Sequence, residues 1–132
     1  MGGRGARFGR NKNGDYGSEY KCVAQMSNVK ILKSKTGSNN APTDTMTKGR
    51  VYATLDKQND IKWITFYDYT GKRYLQIDIK GKDHNGLGLP HRHHGYNHDE
   101  YGIPDNRLTE AQNRKIDKIL NFWDRRRKIL GL

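Results

Sequence analysis

Apolar and polar residues alternate most regularly between Arg50 and Lys80. Val51, Ala53 and Leu55 alternate with Arg50, Tyr52 and Thr54, and DKQND then supplies a turn. The following segment carries Ile61, Trp63, Thr65 and Tyr67 on one side and Ile64 and Phe66 on the other. A period of two marks a strand, and apolar residues on both sides mark an inner one. After the turn DYTG, segment 72–80 puts Arg73, Leu75, Ile77 and Ile79 on one face and Lys72, Tyr74, Gln76 and Asp78 on the other. Three strands joined by short turns predict an antiparallel meander.

The flanking segments are less regular. Tyr20 to Met26 suits a short helix or a strand, whereas Asn28 to Lys33 alternates Val29 and Ile31 with polar residues in a strand-like way. Residues 34–49, rich in Ser, Thr, Asn, Gly and Pro, read as a long loop, and loops of that length usually serve a function or are mobile. Near the C-terminus, Thr109 and Gln112 have the spacing of a capping box that starts a helix. Ile116, Ile119, Leu120, Trp123 and Leu130 then form an apolar stripe expected to lie on the sheet. Arg125, Arg126, Arg127 and Lys128 suit the negative end of the helix dipole, and equally a solvated face or a phosphate-binding patch. Residues 1–18 hold Gly, Arg, Asn and Lys with little to bury, so they read as a flexible basic arm. The expectation is one α+β domain over 19–132. Its small antiparallel sheet has three to five strands around the central meander, and the C-terminal helix packs on one face.

All five histidines fall between His84 and His98. Imidazole is the side chain that titrates near neutrality and the commonest metal ligand, so the cluster points to proton transfer or metal binding. Pro90 fixes its own φ and favours an extended Leu89, so a short strand is expected to follow. Alternation on that strand puts His91 and His93 on one face and Arg92 and His94 on the other. His84, across the Gly86 to Gly88 turn, is placed to fold back toward the first pair.

Composition narrows the classes. Only 33% of residues are hydrophobic, and 25 Lys and Arg against 14 Asp and Glu give a formal charge of +11. That excess favours a polyanionic partner, with RNA or DNA ahead of acidic lipid. A lone Cys22 excludes an internal disulfide framework and a cysteine zinc site, and fits a reducing cytoplasm. No apolar run suits a signal peptide or a membrane span. P-loop, GxGxxG and GxSxG patterns are absent from the sequence, so nucleotide hydrolysis and acyl transfer have no support.

Three chemistries remain. Metal-independent RNA cleavage needs a base for the 2′-hydroxyl, an acid for the leaving oxygen and a cation beside the phosphate. His91, His93 and His84 are candidates for the first two roles, with Asp78 orienting an imidazole or else paired with Lys80 or Lys72. Arg50, Lys72, Arg73 and Arg92 are candidate phosphate clamps. Alternatively, His91, His93, His94 and His98 offer ligands for a divalent metal such as zinc, nickel or manganese. The third reading is a non-enzymatic nucleic-acid-binding module that uses its basic residues with Tyr and Trp for stacking.

The order GSNNAPTDTMTKGRVY, FYDYTGKRYLQID, HNG and PHRHHGYNHDE resembles small domains encoded in phages and prophages of Gram-positive bacteria, often beside minor head proteins. The leading GGRGA…YGSEY is similar to the linker that precedes such domains. More distantly, the H…PHxH pattern resembles C-terminal domains of polymorphic toxins, ribonucleases of the barnase, EndoU, colicin and RelE-like class. That resemblance implies a helix packed on an antiparallel sheet and a shared polar set at Arg50, Asp78, His84, His91 and His93. It implies RNA as substrate without a required cofactor, head proteins as possible partners, and a place in a bacterial cytoplasm or a phage particle. His94 and His98 belong only to the phage-type pattern.

Overall fold

The structure is a computed structural model that describes residues 19–37, 40–80, 88–97, 100 and 102–132. The expected arm at 1–18 lies outside these residues, as do His84 and His98. Strands β1 (Tyr20–Met26), β2 (Val29–Ser34), β3 (Val51–Leu55), β4 (Ile61–Tyr67), β5 (Arg73–Asp78) and β6 (His91–His94) form a sheet in sequence order. Helix α1 (Glu110–Leu130) follows.

The α+β class is as expected, with two corrections. The sheet has six strands rather than three to five, and β2 pairs with β3 in parallel, so the sheet is mixed rather than wholly antiparallel. Segment 20–26 is a strand because Ser27, at φ 55°, and Asn28 close a hairpin that sets Met26 opposite Val29. Parallel neighbours cannot be joined by a tight turn, so residues 35–50 carry the chain back to the end of the sheet where β2 began. Period-two alternation identifies a strand but not the direction of its neighbour.

The sheet has two unlike faces. Val29, Ile31, Val51, Ala53, Leu55, Ile61, Ile64, Leu75 and Ile77 join Ile116, Ile119 and Trp123 of α1 in the main core. Burying each such large side chain contributes about 1.5–3 kcal/mol, which is what fixes the helix to this face. The helix begins at the Thr109 and Gln112 capping box, as the spacing predicts, and ends at Gly131 with φ 74°. Trp123 Nε1 donates to the Asn59 carbonyl at 2.8 Å, and Arg127 binds Asp60 at 2.7 Å. One residue of the basic run is thus a structural tie, while Arg125, Arg126 and Lys128 are exposed. Leu130 departs from the expected stripe, being 46% exposed.

On the opposite face Tyr20, Leu32, Tyr52 and Tyr67 form a second buried cluster. Burial raises the pKa of all three phenols, so they remain hydroxyl donors. The Tyr20 and Tyr67 hydroxyls donate to the Asn40 and Pro42 carbonyls, and the Tyr52 hydroxyl lies 2.9 Å from Thr45 Oγ1. The crossover is therefore strapped across this face. Gly71 admits the strap: at φ 87°, a Cβ there would stand 2.3 Å from the Thr45 carbonyl oxygen.

Two facing assignments are corrected. Register passes from Thr54 opposite Trp63 to Leu55 opposite Ile61, so Ile61 faces the helix side with Leu55 and Ile64 rather than the side of Trp63 and Tyr67. Between β4 and β5 it passes from Phe66 opposite Leu75 to Tyr67 opposite Arg73, leaving Tyr74 as an extra residue. Such a bulge turns the residues before it to the other side. Arg73 therefore faces the tyrosine side with Gln76 and Asp78, not the helix side with Leu75 and Ile77.

Candidate functional site

Strands β5 and β6 bring the central residues together. Their register sets Asp78 opposite His91 and Gln76 opposite His93, all on the tyrosine side. The alternation expected after Pro90 is observed, with Arg92 and His94 facing the helix side opposite Ile77 and Leu75. His91 is fully buried, His93 is 2% exposed and Asp78 is 9% exposed.

Asp78 is the hub. Its Oδ2 lies 3.2 Å from His91 Nε2 and 3.0 Å from His93 Nε2, and its Oδ1 accepts from Gln76 Nε2 at 3.0 Å. The two imidazole rings meet edge to face with centroids 5.0 Å apart. Burial opposes ionisation of Asp78, but the hydrogen bonds from His93 and Gln76 and the charge of both histidines together hold its pKa below the ordinary carboxylate value. Among the described residues Asp78 is not paired with Lys80, which instead binds Asp56 at 2.6 Å and Asp60 at 2.9 Å.

Arg73 extends the chain of contacts. Its Nη1 donates to Gln76 Oε1 at 3.0 Å and its Nη2 to the Tyr96 carbonyl at 2.9 Å. The Tyr96 hydroxyl in turn donates to Asp44 Oδ1 at 2.8 Å, which ties the strap to the same network. Arg73 is only 9% exposed, and its Nε is buried without an acceptor among the described residues. Both of its partners are neutral oxygens. No carboxylate among the described residues lies within ion-pair distance of it.

The other expected clamps are dispersed. Lys72 sits over the Tyr96 ring, 5.3 Å from its centroid. Arg50 precedes β3 and reaches the Asn28 carbonyl at 3.5 Å. Thr54 is the β3 residue level with Asp78, through Trp63 of β4. Arg50 is therefore displaced from the hub by two strands and about 13 Å along the strand direction.

Arg92 and His94 are engaged elsewhere, by Asp105 in the segment between β6 and α1. Asp105 Oδ1 accepts from Arg92 Nε at 2.6 Å and from the Arg107 amide at 2.9 Å, and its Oδ2 lies 2.9 Å from His94 Nε2. Arg92 Nη1 also reaches Gln112 Oε1 at 3.4 Å, so the group links β6 to the start of α1. His94 thus does not join His91 and His93 as a ligand. The only sequence signal for Asp105 is indirect: a cation and an imidazole on the helix side of β6 call for an acid there.

No protein-family model, curated protein or solved structure matches this chain.

Asp105 makes a pH prediction. Burial opposes its ionisation, yet the hydrogen bonds from Arg92, the Arg107 amide and His94 hold its carboxyl far below the ordinary range. A carboxyl whose folded pKa is depressed stabilises the fold fully above its unfolded value, about 3.9, and loses that contribution as pH falls toward the folded value. Asp105→Asn is expected to cost about 1–2 kcal/mol at pH 7, with a narrower gap at pH 3. Urea unfolding of both proteins at the two pH values checks this, and an unchanged gap would show that the carboxylate charge is not used.

Proposed function

We propose that the chain is an RNA-cleaving domain whose reaction centre is the Asp78, His91 and His93 group, with Arg73 supplying positive charge toward the substrate phosphate. The observation that carries this reading is the Arg73 guanidinium, held in the interior with only neutral acceptors among the described residues. Burying an uncompensated cation is costly, and an anionic ligand beside it recovers part of that cost. The neighbouring carboxylate and imidazoles are the groups that move protons at neutral pH. Attack of a ribose 2′-hydroxyl on the adjacent phosphorus needs both functions together.

Other support comes from the sequence. The formal charge of +11 suits a polyanion, and the likeness of HNG and PHRHHGYNHDE to phage-type and toxin-type patterns suits RNA cleavage. On that likeness the protein acts in a bacterial cytoplasm or a phage particle, with head proteins as partners. One observation favours a second reading, a nucleic-acid-binding module without catalysis: His91 and His93 are almost wholly buried.

The test is cleavage of a mixed-sequence RNA by the purified full chain, with EDTA and with added zinc, beside His93→Ala. Wild type is expected to cut in at least one condition, and the variant to be slower by at least about a hundredfold. RNA retention without cleavage in either condition, unchanged in the variant, would leave the binding module as the function.

A further inference from the structure

The three groups at the hub have a property that proton transfer does not require. The Gly88 carbonyl, 2.9 Å from His91 Nδ1, can only accept, so that nitrogen carries the proton. In neutral imidazole the other nitrogen, Nε2, then presents a lone pair, and it is aimed at Asp78 Oδ2. Two electron-rich atoms face each other stably when a cation lies between them; without one, the doubly protonated ring whose charge acts on Asp78 fills the same place. His93 Nε2 converges on the same oxygen.

The spacing that carries hydrogen bonds here is also within reach of a shared ion. The three donor atoms all lie within 4.8 Å of one another, and the two nitrogens are 3.2 and 3.0 Å from the oxygen. Bonds of about 2.0–2.1 Å from one ion separate neighbouring donors by about 2.9 Å in an octahedron and about 3.3 Å in a tetrahedron. The two oxygen–nitrogen separations fall between these values, while the two imidazole nitrogens are held only to within 4.8 Å of each other. Rotation of the two rings toward each other would close the set around the ion.

The surroundings fix the donors as outer contacts do in metal centres. A backbone carbonyl sets the His91 tautomer. Gln76 occupies Asp78 Oδ1, which leaves Oδ2 for the centre, and Arg73 Nη1 fixes which end of the Gln76 amide faces Asp78. All three donors stand on paired strands rather than on loops, so they are held in place before any ligand arrives.

The geometry points to a divalent transition-metal site in which Asp78 Oδ2, His91 Nε2 and His93 Nε2 are ligands and water takes the remaining position. Two imidazoles and one carboxylate favour zinc, with nickel and manganese next, over the all-oxygen preference of calcium and magnesium. This goes beyond the RNA reading and stands whether or not the chain cleaves RNA. In an RNA-cleaving protein such a site would supply an acidified water beside the charge of Arg73.

The test needs no RNA. EDTA-stripped full-length protein is titrated with zinc and with magnesium by calorimetry, alongside an Asp78→Ala, His93→Ala double variant and His94→Ala. The expected result is one zinc ion per chain and no magnesium, binding weakened at least about a hundredfold in the double variant, and retention in His94→Ala. In ¹⁵N-labelled wild type, zinc is expected to move the Nε2 signals of His91 and His93 and not that of His94, a readout that does not depend on the variants folding. Equal binding in the double variant, unmoved His91 and His93 signals, or no one-to-one binding by wild type would overturn the site.

Discussion

Asp78→Ala is expected to lower stability by about 3–5 kcal/mol and any RNA cleavage by at least about a hundredfold. One buried carboxylate serves both imidazoles and the Gln76 amide, so its removal leaves three polar groups facing a void at once. An unsatisfied buried donor costs about 1–3 kcal/mol, and relaxation of the neighbours recovers only part of the total. Asp78→Asn keeps the shape but turns an NH₂ toward one of its former donors, so its loss should be intermediate. Urea unfolding in EDTA separates the structural term from any metal contribution. A loss below about 1 kcal/mol in Asp78→Ala would mean that the histidines are held by other contacts.

Arg73→Met should behave in the opposite way, with stability held and function lost. Methionine has nearly the length of the arginine stem, and replacing a buried charge that lacks a counter-ion by an apolar group is often neutral or stabilising. Against that gain stands the loss of donors to Gln76 Oε1 and the Tyr96 carbonyl. These terms offset, so the net change is expected to stay within about 1 kcal/mol. RNA cleavage should fall by at least about a hundredfold, as when a charge-stabilising donor is removed from other reaction centres. Unfolding curves and initial cleavage rates measure the two effects separately. A loss of stability above about 3 kcal/mol would make Arg73 a structural member, and unchanged cleavage would remove it from the substrate's path.

The sequence made the middle of the sheet and the division of the histidines readable because both depend on local periodicity. Val51 to Leu55 and Trp63 to Tyr67 alternate as strands must, and Pro90 gave a starting point from which His91 and His93 part from Arg92 and His94. The Thr109 and Gln112 pair marked the helix start for a similar reason, since a capping box is satisfied within three residues. What escaped depends on pairing across distance. The extra residue at Tyr74 is visible only against β4, and without it Arg73 reads as a core-facing residue. The parallel neighbour of β2 and the docking of Asp105 under β6 are likewise set by partners far along the chain. The strap across the tyrosine face was readable as a long loop, but its anchors were not. Its carbonyls are gripped by hydroxyls whose direction no pattern in the loop itself reveals.

The Asp105 contact also decides how another chain can meet this sheet. β6 is an edge strand of four residues, and the outward backbone amide and carbonyl of Arg92 both bond to Asp105. An edge occupied in this way offers no template for a further strand. Strand-by-strand growth of the protein into aggregates, or recognition of an extended peptide by strand addition, is thereby steered away from the histidine edge and toward β1.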